Sequence, residues 1–62
     1  MANEELLNKM ISIIKQNPGI RPSELNRRIG LQHTAWLRNT LIKRGLVRKE
    51  KRGGAVFYYS LM

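Results

Sequence analysis

The sequence contains no cysteine and a single histidine, His33. Neither a disulfide framework nor a thiolate metal site is available, and one imidazole cannot hold a metal alone. Acidic residues are few: Glu4, Glu5, Glu24 and Glu50 are all there are. With so few carboxylates, no cysteine and none of the phosphate-loop or metal-hydrolase motifs, an enzyme is not expected, and neither is a cofactor. No apolar run approaches the roughly 20 residues that span a bilayer. The start, Met-Ala-Asn-Glu-Glu, carries acids where a secretion signal carries cations, so a cytoplasmic, nucleoid-associated location is the expectation. Aromatics are limited to Trp36, Phe57, Tyr58 and Tyr59.

What is abundant is positive charge. Twelve Lys and Arg against four acids give +8 over 62 residues. Residues 1–20 are neutral, because Lys9 and Lys15 cancel Glu4 and Glu5, so the whole excess lies in residues 21–62. A field concentrated in this way attracts polyanions, chiefly nucleic acid or an anionic membrane surface. A chain this short forms one domain, 1–62, and buries only about 60% of its unfolded surface, so one compact apolar core must hold it.

Hydrophobic periodicity divides the chain. Residues 3–17 read as an amphipathic helix capped by Asn3, with Leu6, Leu7, Met10, Ile11, Ile13 and Ile14 along one stripe and Asn17-Pro18-Gly19 as the stop. After a short extended link at Ile20 and Arg21, a second helix opens at Pro22 and closes at Gly30, with Leu25 and Ile29 inward. A third helix is expected from Gln32 to Arg44, closed by Gly45, with Leu37, Leu41 and Thr34 on its buried side. From there the period changes to two. Leu46 to Lys51 reads as a strand, Arg52-Gly53-Gly54 as the turn and Ala55 to Leu61 as the returning strand. Ala55, Phe57, Tyr59 and Leu61 are assigned to the core side of that strand, and Val56, Tyr58 and Ser60 to the other.

The stretches 21–31 (RPSELNRRIGL), 41–49 (LIKRGLVRK) and 57–61 (FYYSL) follow one another in this order. Together they resemble the winged helix-turn-helix superfamily, in particular small regulators of the ArsR and MarR type and the compact fimbrial-operon regulators. The spacing between the Gly30-Leu31 turn and Gly45-Leu46-Val47 is somewhat shorter than is usual there. The resemblance implies an α+β fold, a three-helix bundle followed by a two-stranded hairpin wing. It further implies sequence-specific binding of double-stranded DNA and a role in transcription regulation.

On this reading the third helix enters the major groove. Gln32, His33, Ala35, Trp36, Arg38, Asn39 and Lys43 are the candidate base contacts. Gln32 and Asn39 carry the donor–acceptor pair that suits adenine, Ala35 permits close approach to a thymine methyl, and Arg38 reaches a guanine or a phosphate. His33 is expected to be a partly buried cap or a phosphate contact. Trp36 and Ile42 fall on the two flanks of that helix face, and Trp36 is assigned first to core packing and second to DNA or a partner. Arg21, Ser23, Arg27, Arg28 and Arg44 are backbone contacts, with Ser23 at a helix N-terminus that favours an anion. Arg48, Lys49, Lys51 and Arg52, beside Gly53 and Gly54, form the wing over the minor groove and flanking phosphates. Double-stranded DNA is the expected partner; homodimerisation would lengthen the site read. No membrane or small-molecule ligand is expected. The competing readings are a protein–protein interaction module, which exposure of Trp36 and Ile42 together would favour, and an RNA-binding subunit of a larger assembly.

Overall fold

A computed structural model describes residues 3–62; Met1 and Ala2, the first residues of the expected 1–62 domain, lie outside the described residues. Three helices are followed by two antiparallel strands: α1 (Glu4–Gln16), α2 (Pro22–Ile29), α3 (Ala35–Lys43), β1 (Val47–Arg52) and β2 (Ala55–Ser60). This is an α+β architecture, a helix bundle with a C-terminal hairpin wing.

Local chemistry sets most boundaries. Asn3 caps α1, its side-chain oxygen accepting from the Leu6 N–H at 3.2 Å, and Leu7, Met10 and Ile14 form the buried line three and four residues apart. The helix stops one residue before Asn17, whose amide donates back to the Ile13 carbonyl at 2.9 Å. Pro22 opens α2, and Gly30 closes it in the left-handed region at φ 83°. There the Gly30 and Leu31 N–H groups both donate to the Asn26 carbonyl. Ile20, the short extended link, makes an antiparallel bridge with Tyr58, exchanging two backbone hydrogen bonds of 2.9 Å through Gly19 and Tyr58. The chain between α1 and α2 is thereby fastened to the hairpin.

Three expectations are corrected. First, α3 starts at Ala35 rather than Gln32 and ends at Lys43, so Gln32 and His33 belong to the turn. The reason is a competing set of bonds: Asn26 of α2 donates from Nδ2 to the Gln32 carbonyl at 2.9 Å and accepts the Thr34 hydroxyl, which holds residues 32–34 out of the helix. Second, Arg52 pairs with Ala55, so β1 runs one residue further and the turn is two residues, not three. Gly53 and Gly54 have φ of 54° and 83°. Two successive positive values are the geometry of a type I′ turn, whose twist matches that of the strands it joins. Third, the faces of β2 are inverted. Tyr58 is the buried residue, 4% exposed, with Val56 packed against the core on the same side. Phe57 and Tyr59 point the other way with Ala55, and Leu61 is exposed just beyond the strand.

The core gathers Leu7, Met10 and Ile14 of α1, Leu25 and Ile29 of α2, Leu37 and Leu41 of α3, then Ile20, Val47 and Tyr58. Each fully buried aliphatic side chain contributes about 1.5–3 kcal/mol relative to exposure. Every helix and both strands therefore depend on the same interior, and α3 and the hairpin are held in one fixed relation through it.

Candidate nucleic-acid interface

α3 spans nine residues, about 14 Å of helix at 1.5 Å per residue. Leu37 and Leu41 face inward, and Ala35, Trp36, Asn39 and Lys43 are exposed. At 3.6 residues per turn these four fall within roughly a quarter to a third of the helix circumference. Trp36 is 47% exposed, which corrects its assignment to the core; Ile42, the opposite flank, is partly buried and packs against the core cluster. His33 is exposed in the turn before the helix rather than partly buried, and the side chain of Gln32 is exposed beside it.

A polar network between α2 and α3 sets how that face is presented. Thr34, only 1% exposed, donates its hydroxyl to Asn26 Oδ1 and accepts from Arg38 Nη1 at 2.9 Å. The same Arg38 nitrogen lies 3.4 Å from Asn26 Oδ1, and the guanidinium sits 5.5 Å from the centroid of the Tyr58 ring. Its Nε is buried and unpartnered. Arg38 is thus drawn in between α2, α3 and β2, where it positions the helix instead of projecting from it. Asn26 and Thr34 were missed as site-shaping residues. Their trace in the sequence is slight: a short polar residue mid-helix and a threonine ahead of one, both types that bond to nearby backbone and side chains.

The hairpin has two unlike faces. Cross-strand partners share a face, so Val47, Lys49 and Lys51 lie with Ser60, Tyr58 and Val56 on the helix side. Lys49 and Lys51 are exposed. On the outer side Arg48 lies over the Tyr59 ring at 4.4 Å and pairs with Glu50 at 3.0 Å. Arg52 lies 4.9 Å from the Phe57 centroid and donates to the Tyr59 hydroxyl at 2.8 Å. Arg21 approaches Phe57 from the α1–α2 link at 5.9 Å. Two aromatic rings therefore seat three guanidinium groups, an arrangement no pattern in the strand announces. Tyr59 in turn lies across Gly19, where an added Cβ would sit 3.3 Å from its hydroxyl.

The acids remove some cations from the field. Glu4 accepts both Arg44 Nη atoms at 3.0 and 2.8 Å, and this pairing lowers its pKa below the ordinary 4.5. Glu24 is lowered in the same way by its hydrogen bond with Arg27 and the charge of Arg28. Glu50 is lowered by Arg48, with a further contribution from Arg52. Arg27, Arg28, Arg44 and Arg48 are therefore partly neutralised. Among the described residues, Arg21, Lys43, Lys49, Lys51 and Arg52 have no carboxylate within 4.0 Å.

No family model, curated protein or solved structure matches this chain. The site therefore rests on its own geometry. Ser23 is exposed in the first turn of α2, whose N-terminus has no side-chain cap. An open depression of about 310 Å³ there is lined by Ser23, Glu24 and Arg27, so a phosphate approaching the free N–H groups meets one carboxylate as well as one cation. Among the described residues there is no group of three metal-ligating side chains, and no helix is long and apolar enough to cross a membrane.

Proposed function

We propose that this chain binds double-stranded DNA in a sequence-specific manner and acts as a transcription regulator of the winged helix-turn-helix kind. α3 lies in the major groove and the hairpin, residues 47–60, rests on the minor groove and its phosphates. The observation that carries this reading is the distribution of unpaired charge. Lys43 ends the exposed side of α3, the chain turns once through Gly45 and Leu46, and Lys49, Lys51 and Arg52 follow on the hairpin. A helix of major-groove size with a cationic ribbon joined directly to its end suits a duplex, whose adjoining grooves are bordered by phosphates. Binding without catalysis is the role assigned: the one histidine is exposed in a turn, and three of the four carboxylates are held by arginines. A cytoplasmic, nucleoid-associated location accompanies the proposal.

One observation favours a second reading, a protein-interaction module, and that is the exposure of Trp36. Ile42 does not join it, because it is partly buried against the core; the other exposed large apolar side chains, Leu31, Leu61 and Met62, lie in the α2–α3 turn and at the C-terminus rather than on α3. RNA is the remaining competitor. Its single strands call for stacking aromatics; Phe57 and Tyr59 are covered by arginines and Tyr58 is buried, which leaves Trp36 alone to stack.

Competition binding decides among these. A fluorescent duplex of random sequence is bound and then challenged with unlabelled duplex DNA, single-stranded DNA and duplex RNA. Preferential displacement by duplex DNA is the expected result. Stronger displacement by either of the others, or no binding at all, would overturn the proposal.

A further inference from the structure

The commonest specific reader of guanine is an arginine fork that reaches O6 and N7 in the major groove. α3 carries Arg38, and Arg44 follows at its C-terminal cap, but neither guanidinium is free on the exposed side. Arg38 is held inward by Thr34, Asn26 and the Tyr58 ring. Arg44 is clamped by both oxygens of Glu4. The remaining cation, Lys43, is the last residue of the helix, whereas recognition helices present mainly their N-terminal part to base edges and their far end to the backbone. What the first two turns expose is Ala35, Trp36 and Asn39, with the side chains of Gln32 and His33 just ahead.

Asn39 and Gln32 offer the paired donor and acceptor that match adenine N7 and N6. Ala35 and Trp36 are adjacent and exposed, and in the major groove the apolar feature of a base pair is the thymine 5-methyl. Trp36 lies three residues before Asn39, so the two side chains are neighbours on the helix surface. The Thr40 hydroxyl, which stands a turn beyond Trp36, donates to the Trp36 carbonyl at 2.7 Å and keeps only acceptor capacity toward a base.

We infer that the step read by α3 is composed of A·T pairs, with Asn39 bonded to adenine and the thymine methyl covered by Trp36 beside Ala35. The inference rests on the proposed duplex binding and extends it to the identity of the bases. It also gives the exposed tryptophan an occupant of stated chemistry: a methyl group that deoxyuridine lacks.

The test begins with selection of binding sites from random duplexes using the full chain. The selected duplex is then remade with deoxyuridine in place of each thymine in turn, which deletes the methyl and leaves pairing intact. A·T pairs are expected at adjacent selected positions, with deoxyuridine at one of them weakening binding about threefold to fourfold, the worth of one buried methyl. Trp36→Ala, a surface substitution whose folding is checked by circular dichroism, should weaken binding to the thymine duplex and abolish the difference between thymine and deoxyuridine. Asn39→Ala should reduce discrimination for adenine by about fivefold to 150-fold. A G·C consensus, indifference to deoxyuridine, or a penalty that persists in Trp36→Ala would overturn the inference and leave duplex binding standing. Binding without any selected sequence would do the same. Failure to bind duplex at all would remove both.

Discussion

Salt dependence gives the most direct quantitative test of the interface. Arg21, Lys43, Lys49, Lys51 and Arg52 are the exposed cations of α3, the two hairpin faces and the α1–α2 link with no carboxylate within pairing distance. If each neutralises one phosphate, the slope of log affinity against log salt is about −0.9 for each, or about −4.5 in total. Between about 50 and about 200 mM monovalent salt, affinity should then fall on the order of 500-fold. Replacing Lys49 and Lys51 by glutamine removes two contacts, so the slope should relax to about −2.7 and the loss over the same range to about 40-fold. Arg27→Gln provides the contrast. Arg27 is bonded to Glu24, and its loss frees a carboxylate as it removes a cation, so the number of phosphates neutralised should hardly change. Fluorescence anisotropy of a labelled duplex, titrated at several salt concentrations, measures all three slopes. All three side chains are exposed, and circular dichroism checks that the folds are unaltered. A nearly flat dependence for the unmodified chain, or a slope that relaxes as much with Arg27→Gln as with the lysine pair, would refute the assignment of charge to this surface.

Three further outcomes follow from the packing. Thr34→Val keeps the shape of a buried side chain but deletes the hydroxyl shared by Asn26 and Arg38; stability should drop by about 2 kcal/mol, a fall in Tm on the order of 10 °C, and an unchanged Tm would show that the network contributes nothing net. Gly19→Ala and Gly30→Ala each place a Cβ at positive φ, 81° and 83°, at a cost of about 1–2 kcal/mol. Only the first meets a neighbour, the Tyr59 hydroxyl, so Tyr59 ring resonances should shift in Gly19→Ala and stay in place in Gly30→Ala. The pKa values of Glu4, Glu24 and Glu50 are depressed in the folded chain by Arg44, Arg27 and Arg48 respectively. Their pairs therefore contribute stability above the ordinary value of 4.5, and this is lost as pH falls through the depressed values; denaturant midpoints should be level from neutrality down toward that value and decline below it, less so in Glu4→Gln. A midpoint that rises on acidification would contradict the sign.

The parts of the fold that were legible in the sequence are those controlled by neighbours along the chain. Asn3 caps its own helix, Pro22 starts α2, Gly30 ends it, and paired glycines 53 and 54 make the hairpin turn. Leu37 and Leu41 were recognisable as the buried line of α3, and Ala35, Asn39 and Lys43 as its outer side, because 3.6-residue periodicity relates them. The start of α3 was not legible. It depends on what the Asn26 side chain of another helix does with the Gln32 carbonyl and the Thr34 hydroxyl. Nor was the inward turn of Arg38, since a solvated guanidinium and one seated against Tyr58 occupy the same place in the sequence.

By itself, the sequence determined how many elements there are, their kind and their order, and it placed all the excess charge after residue 20. Which side of β2 enters the core was a matter for the tertiary structure. Alternation is satisfied equally by Tyr58 or by its two aromatic neighbours, because every residue from Ala55 to Tyr59 is apolar or aromatic. The choice is made by the Ile20 bridge and the register with β1, which put Tyr58 over the helices and leave Phe57 and Tyr59 to be covered by three arginines, two from β1 and one from the α1–α2 link. Pairing between segments remote in sequence sets the phase of a strand, and a period of two carries no information about that phase.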